Sequence, residues 1–141
     1  MCDDAVLRAS VMNSTADLLI AGRVATPWPW QWDVVKRCVH RARGEGISLP
    51  TIEVCWRERQ ARALICAGAV SFERGRNPKL YLAIDSAPPQ LERTVFHEVR
   101  HISDYMSYGF DALKSVEARI EMERRADDFA NKMIGNLNLW W

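Results

Sequence analysis

At residues 97–101 the sequence reads HEVRH, a match to the short pattern HExxH. In a helix, positions four apart share one face about 6 Å apart, so His97 and His101 can both reach one metal ion. Glu98 lies beside that face and can take a proton from a water on the metal. Because HExxH also occurs by chance, the surrounding sequence decides whether it indicates zinc-assisted peptide hydrolysis.

The surroundings place the motif in a helix that follows a sheet. Alternation of apolar and polar residues with period two predicts three strands, at about 51–56, 63–70 and 80–85. We expect them to form a three-stranded antiparallel meander. Helical spacing of apolar residues then predicts a helix over about 89–108, begun by prolines and ended by Gly109.

Three further helices are predicted from apolar spacing and from glycines at their ends. The first covers about 4–21 and is followed by Gly22, and the second covers about 30–43 and is stopped by Gly44 and Gly46. The last covers about 111–134, and Gly135 is its predicted stop. Together with the strands, these helices predict an α+β fold.

A catalytic zinc keeps three protein ligands and one open position, so HExxH requires a third ligand elsewhere. Asp104 follows His101 by three residues, but an unbroken helix would project its carboxylate along the axis and away from a tetrahedral site. Residues 102–104 read ISD and lack a glycine that would turn the chain. The other candidate is Glu123 in the last helix, whose ordinary interpretation is a solvated glutamate.

Residues 123–130 read ERRADDFA. With HEVRH, this stretch resembles the ImmA/IrrE-type and minigluzincin metallopeptidases, in which HExxH is followed on a later helix by Glu-x-x-Ala-Asp/Asn-x-Phe-Ala. The resemblance covers residues 50–134 approximately. It implies a gluzincin-type zincin fold with Glu123 as the third zinc ligand, and Asp127 orienting His97 or His101 from behind. The sequence departs from the commonest family form at residues 99–100, VR in place of Leu-Gly.

We therefore predict one α+β, zincin-like domain over residues 1–141, with a helical part at 1–49, the sheet and metal-site helices at 50–134 and a tail at 135–141. The predicted function is zinc-dependent peptide hydrolysis with one zinc ion, ligands His97, His101 and Glu123, and Glu98 as general base and later acid. The alternative is a catalytically silent or latent zinc-binding regulatory module, of a kind carried by phages or mobile elements.

Composition limits the partners of the chain. Hydrophobic residues make up 48% and charged residues 26%, as in ordinary globular proteins, and the formal net charge is +1. Such a balance produces no long-range field to recruit nucleic acid or anionic lipid, so we expect a peptide or protein substrate instead. Residues 1–4, MCDD, lack the basic start of a secretory signal, and no apolar run approaches a membrane span, which predicts a cytoplasmic protein.

The four cysteines show no CxxC pair, so buried free thiols are expected, with a Cys55–Cys66 bridge as the second choice. Tyr105, Tyr108 and His40 are the available donors to an oxyanion, although aromatic residues at helical spacing more often belong to the core.

Two further segments bear on substrate access. The strand at 80–85 is expected to be the exposed edge that an extended peptide joins. The tail at 136–141, NLNLWW, is too apolar to lie free and is expected to pack on the body or to lie as a strand in the cleft. Residues 28–32, WPWQW, are expected to pack onto the sheet, with a partner-binding surface as the alternative.

Overall fold

The computed structural model describes residues 18–20, 25–58 and 67–138. In these ranges, segments with helical spacing of apolar residues form three long helices, and four strands form a sheet. The elements in chain order are β1 (Leu18–Ile20), α1 (Pro29–Gly44), β2 (Ile52–Arg57), β3 (Gly68–Ser71), β4 (Lys79–Ala83), α2 (Pro88–Tyr108), a 3₁₀ helix (Gly109–Leu113) and α3 (Val116–Asn138). The α+β class is thus confirmed, and the predicted helix around HExxH corresponds to α2.

The sheet is mixed, and the predicted antiparallel meander is wrong. The strands lie in the order β1-β2-β4-β3, in which β1 and β2, and also β2 and β4, are parallel. Only β3 and β4 are antiparallel, with Val70 opposite Leu80. The difference arises because β4 lies between β2 and β3, although β3 precedes it in the chain. Among the described strands, β3 is therefore the edge on this side, and the prediction that residues 80–85 form the exposed edge is also wrong.

The predicted helix over residues 4–21 is wrong at its end, because Leu18–Ile20 form the short strand β1. Leu18 pairs with Ile52 of β2 and is fully buried. Pairing with an existing strand overrides a weak local helix preference at such a site. The rest of that predicted helix and Gly22 lie outside the described residues.

The apolar face of each long helix packs into one core with the sheet. Representative fully buried members are Val35 and Val39 of α1, Val54 of β2, and Leu80 and Leu82 of β4. The HExxH helix α2 contributes the predicted apolar stripe, with these residues fully buried: Leu91, Val95, Val99 and Ile102. α2 is consequently held by its apolar face, and its polar face is directed towards α3.

Glycine ends α2 as predicted but does not end α3. Gly109 has φ 61°, a left-handed conformation that only glycine adopts without strain, and the chain leaves the helix there. Gly135 is not among the described glycines with positive φ, and α3 continues through it to Asn138. Residues 136–138 are therefore helical and not a strand in the cleft, while 139–141 lie outside the described residues.

The cysteine prediction is correct for one described residue and wrong for another. Cys38 is free and buried, and burial raises the pKa of its thiol to about 12. Cys55 is disulfide-bonded, so it is not the expected free thiol. Its partner is outside the described residues, as is Cys66 of the second-choice bridge.

The tryptophans near the start of α1 are divided between surface and core. Trp28 and Trp30 are exposed, whereas Trp32 is partly buried against the core. The start of this helix is fixed by Gln31, whose side-chain oxygen accepts from the Trp28 amide at 2.8 Å and whose side-chain nitrogen donates to the Ile84 carbonyl at 2.7 Å. Among the described helices, none is long and apolar enough to cross a membrane.

Candidate metal centre

α2 and α3 pack side by side in antiparallel orientation and are joined by a row of polar contacts. His101 of α2 meets Glu123 of α3, His97 meets both Glu123 and Asp127, and Arg93 meets Asn131. The contact residues are spaced four apart on each helix, which is close to one helical turn, and they run in opposite chain directions on α2 and α3. The row therefore holds the two motifs in register.

The predicted ligands are brought together at the centre of this row. The Nε2 atoms of His97 and His101 are 3.0 Å apart, and the Glu123 carboxylate lies 3.2 Å from the first and 3.0 Å from the second. A tetrahedral zinc with ligands at about 2.0–2.1 Å would hold its ligand atoms about 3.4 Å apart. The donor types and their spacing thus fit one zinc ion, although the Glu123 side chain is 59% exposed.

Asp127 determines which nitrogen of His97 faces the centre as an acceptor. Its Oδ1 lies 3.0 Å from His97 Nδ1, so that nitrogen carries the proton and donates to the carboxylate. The other ring nitrogen, Nε2, faces the Glu123 oxygen at 3.2 Å. Electron-rich atoms at this distance require a proton or a cation between them, which is the arrangement of a histidine ligand supported by a carboxylate.

Burial favours the neutral form of His101, which is the form that binds a metal. Its ring is 4% exposed, and burial is the main cause that lowers its pKa, while the Glu123 carboxylate acts in the opposite direction. Its Nδ1 is buried and has no hydrogen-bond partner among the described residues. A ring whose Nε2 is the atom directed at Glu123 and His97 is suited to bind through that nitrogen.

Glu98 lies beside the three donors without joining their closest contacts. Its Oε1 is 4.0 Å from His97 Nε2, and the residue is 8% exposed. Burial, followed by the negative charge of Glu123, raises the pKa of the Glu98 carboxyl to about 7. His97, Glu98 and His101 offer ligand atoms that all lie within 4.8 Å of one another. Glu98 can therefore serve as a base or as an additional ligand.

Asp104, the competing third ligand, is occupied elsewhere. It is 3% exposed, and its carboxylate accepts a hydrogen bond from Arg125 Nε at 3.0 Å and lies 3.3 Å from Arg100 Nε. The Arg125 contact ties α2 to α3 one turn beyond His101, and the Arg100 contact lies within α2. Of the two candidates left open by the sequence, Glu123 thus meets both imidazoles, whereas Asp104 pairs with arginines.

None of the three expected oxyanion donors is among the described residues that line the site. The Tyr105 ring stacks on Phe72 with centroids 3.9 Å apart, and Tyr108 is covered by the Arg125 guanidinium at 5.5 Å. His40 lines a separate cavity of about 880 Å³ between α1 and the start of α2. Both tyrosines thus have aromatic or cationic packing partners, as expected for structural residues.

A cleft of about 550 Å³ opens over the centre between β3, α2 and α3. Its described lining consists of Gly68, Ala69, Val70, Ser71, Phe72, His97, Glu98, His101, Phe110, Leu113, Met122 and Glu123. Gly68 is required by a close approach, because a Cβ there would lie 2.4 Å from Thr94 Cγ2 and 3.0 Å from the Tyr81 carbonyl. The cleft is therefore formed by the edge of β3 lying directly on the HExxH helix.

Sequence reasoning missed the residues that support Asp127 and the cleft. Arg93 donates to Asn131 at 2.5 Å and lies 4.0 Å from Asp127 Oδ1. A signal for Arg93 and Asn131 was present, since each is four residues from a motif residue on the same helical face. Gly68 could not be recognised, because only the packing of β3 on α2 shows why its Cβ is excluded.

No family model, curated protein or solved structure matches this chain. The class that the fold and the site define is an α+β protein with a candidate His-His-Glu metal centre between two antiparallel helices.

Proposed function

We propose that this protein is a zinc-dependent metallopeptidase of the gluzincin kind, similar to the ImmA/IrrE and minigluzincin families, with a peptide or protein as substrate. One observation carries the proposal: three side chains from HExxH and ERRADDFA, those of His97, His101 and Glu123, contact one another in pairs at 3.0–3.2 Å, beside the buried carboxyl of Glu98. This is the donor set of a catalytic zinc with one position left for solvent or substrate.

His97, His101 and Glu123 would hold the ion, and Asp127 would keep the His97 lone pair directed at it. When bound, zinc would supply Lewis acidity, which activates a water and polarises the carbonyl under attack. The residue that handles the proton is Glu98. With a pKa of about 7 in the metal-free site, its carboxyl is close to balance between its two forms near neutral pH. It can thus accept a proton from the attacking water and return it to the leaving amine.

The test is Glu98→Gln, which keeps the shape of the side chain and removes its basicity. We expect the variant to retain one zinc per chain by elemental analysis and to lose at least about 100-fold in hydrolysis of a peptide library, in line with the loss of a general base. Glu92→Gln is the matched control, since Glu92 is on the same helix and lines the other cavity. Full activity of Glu98→Gln would refute the mechanism.

The second candidate is a zinc-binding regulatory module without turnover. It is favoured by one observation, the closeness of the Glu98 carboxylate to both imidazoles, which would allow a fourth protein ligand to close the site. In that case Glu98→Gln would lower zinc affinity, and neither protein would cleave peptides. Zinc titration of the two proteins therefore separates a base from a ligand.

A further inference from the structure

The cleft over the metal centre changes character along its length. Gly68 at the start of β3 lies against Thr94 and Glu98, whereas Phe72, just after the end of β3, stacks on Tyr105. β3 and α2 therefore run alongside each other, and Glu98 and Tyr105 are seven residues apart, or about 10 Å at 1.5 Å per residue. One end of the cleft is at Glu98, and the other is at an aromatic wall about 10 Å away.

The far end is mostly apolar, and the one polar side chain among its described residues is that of Ser71, between Val70 and Phe72. Phe72 and Val70 come from the β3 side, Phe110 and Leu113 from the 3₁₀ helix, and Met122 from α3. The wall has a fixed shape, because Tyr105 stacks on Phe72 at 3.9 Å and meets Phe110 edge to face at 5.2 Å. Phe110 is nevertheless 46% exposed, so apolar surface remains for a ligand to cover.

The described lining of this cleft is acidic at one end and mostly apolar at the other. Its described lining residues include the carboxyl groups of Glu98 and Glu123 but no lysine or arginine. The nearest guanidinium at the apolar end, that of Arg74, lies over the Phe110 ring at 5.5 Å and is not among them. An acidic side chain placed at the apolar end would lose water without gaining a cationic partner from the described lining, which is costly.

We infer that the apolar end of this cleft is a specificity pocket for a large apolar or aromatic side chain next to the scissile bond. Cleavage next to the bound side chain rests on the proposed function, whereas binding of the side chain in the pocket does not. Its volume of about 550 Å³ with the catalytic end included lies within the usual range for ligand sites. Differences of a few methylenes in such pockets discriminate by about 10- to 200-fold.

Binding is tested without reliance on turnover, by NMR of methionine methyl groups in the full chain. Met122 is buried in the cleft wall, and its resonance is identified with Met122→Leu. We expect N-acetyl-phenylalaninamide and N-acetyl-leucinamide to shift this resonance, and the aspartate amide to leave it unchanged. Phe110→Ala should lower the affinity for N-acetyl-phenylalaninamide by about 2- to 10-fold, which corresponds to the loss of one aromatic contact. Ile120→Ala is the control and should leave that affinity unchanged, because Ile120 is an exposed residue of α3 outside the cleft.

Cleavage then separates this inference from the proposed function. A peptide library should yield products with an apolar residue beside the cut, favoured at least about 10-fold over aspartate, and Phe110→Ala should reduce that preference. If the amides bind at Met122 but no Glu98-dependent cleavage occurs, the peptidase proposal fails and the pocket stands. If the aspartate amide binds as well as the phenylalanine amide, or if cleavage shows no apolar preference, the pocket is refuted.

Discussion

His97 has two carboxylate contacts with different consequences. Asp127 accepts from its Nδ1 at 3.0 Å, and Glu123 faces its Nε2 at 3.2 Å. The first contact fixes the tautomer, and the second completes the donor set. The resemblance carried by HExxH and ERRADDFA implied Glu123 and Asp127 as partners of the histidines, and it left open whether Asp127 would meet His97 or His101.

Replacing Asp127 should weaken the metal site without removing a ligand. We expect Asp127→Asn to lower zinc affinity by about 10- to 100-fold, because the amide no longer fixes the proton on Nδ1. Competition with a chromophoric chelator gives the affinity. Asp128→Asn is the control, since Asp128 is exposed and pairs with Arg124 at 3.0 Å. Equal affinities of the two variants would show that Asp127 does not orient His97.

Gly68 is a residue whose importance follows from contact distance alone. In Gly68→Ala the new methyl would meet Thr94 Cγ2 at 2.4 Å and the Tyr81 carbonyl at 3.0 Å. We expect a loss of about 1–3 kcal/mol in the free energy of unfolding in urea, as for other overpacked sites. Gly44→Ala, where nothing lies within 4 Å of the new methyl, should change it by less than about 0.5 kcal/mol. An unchanged Gly68→Ala would mean that β3 does not lie against α2 this closely.

At the scale of elements, α2 and α3 are joined on both sides of the donor set. Arg93 and Asn131 form a contact on one side, and Asp104 and Arg125 form one on the other. Two such connections limit sliding of α3 along α2, which would carry Glu123 away from the imidazoles. The site thus depends on the relative placement of two helices more than on either helix alone.

Asp104→Ala should therefore lower the stability of the fold without changing the number of zinc ions bound. Removing this buried carboxylate takes away the ion-pair contact of Arg100 and leaves Arg125 with only its 3.6 Å contact to Glu121, and we expect a loss of about 1–3 kcal/mol in unfolding free energy. The folded variant should still bind one zinc, since its three donors remain. Asp111→Ala, an exposed residue of the 3₁₀ helix, should leave stability close to that of the wild type. Loss of zinc in Asp104→Ala, with zinc kept in Glu123→Ala, would reverse the choice of third ligand.

Sequence patterns predicted which segments form elements better than how the elements pair. Period-two alternation located β2 and β4, but it contains no information on partners, and the insertion of β4 between β2 and β3 follows from packing of the whole sheet. The same limit applies at Gly135. A glycine inside a helix costs about 1 kcal/mol, which the surrounding turns of α3 can offset, so glycine alone does not mark an end.

At the scale of the molecule, the two described cysteines should differ in chemistry. Cys38 is buried with a thiol pKa raised to about 12, so the reactive thiolate is suppressed below that pH, and Cys55 is disulfide-bonded. We expect iodoacetamide at pH 8 to modify Cys38 only after unfolding, and Cys55 only after reduction, as read by peptide mass mapping. Rapid labelling of native Cys38 would contradict its burial. A disulfide at Cys55 in protein from its source would argue against the predicted cytoplasmic location.

The most direct test of the central claim is the zinc content of purified protein, measured by elemental analysis on three matched proteins. The wild type and Glu121→Gln should each hold one zinc per chain, because Glu121 pairs with Arg124 and Arg125 away from the imidazoles. Glu123→Gln should hold far less, because its carboxylate contacts both His97 and His101. A wild type without stoichiometric zinc, or a Glu123→Gln protein that holds as much zinc as Glu121→Gln, would contradict the account.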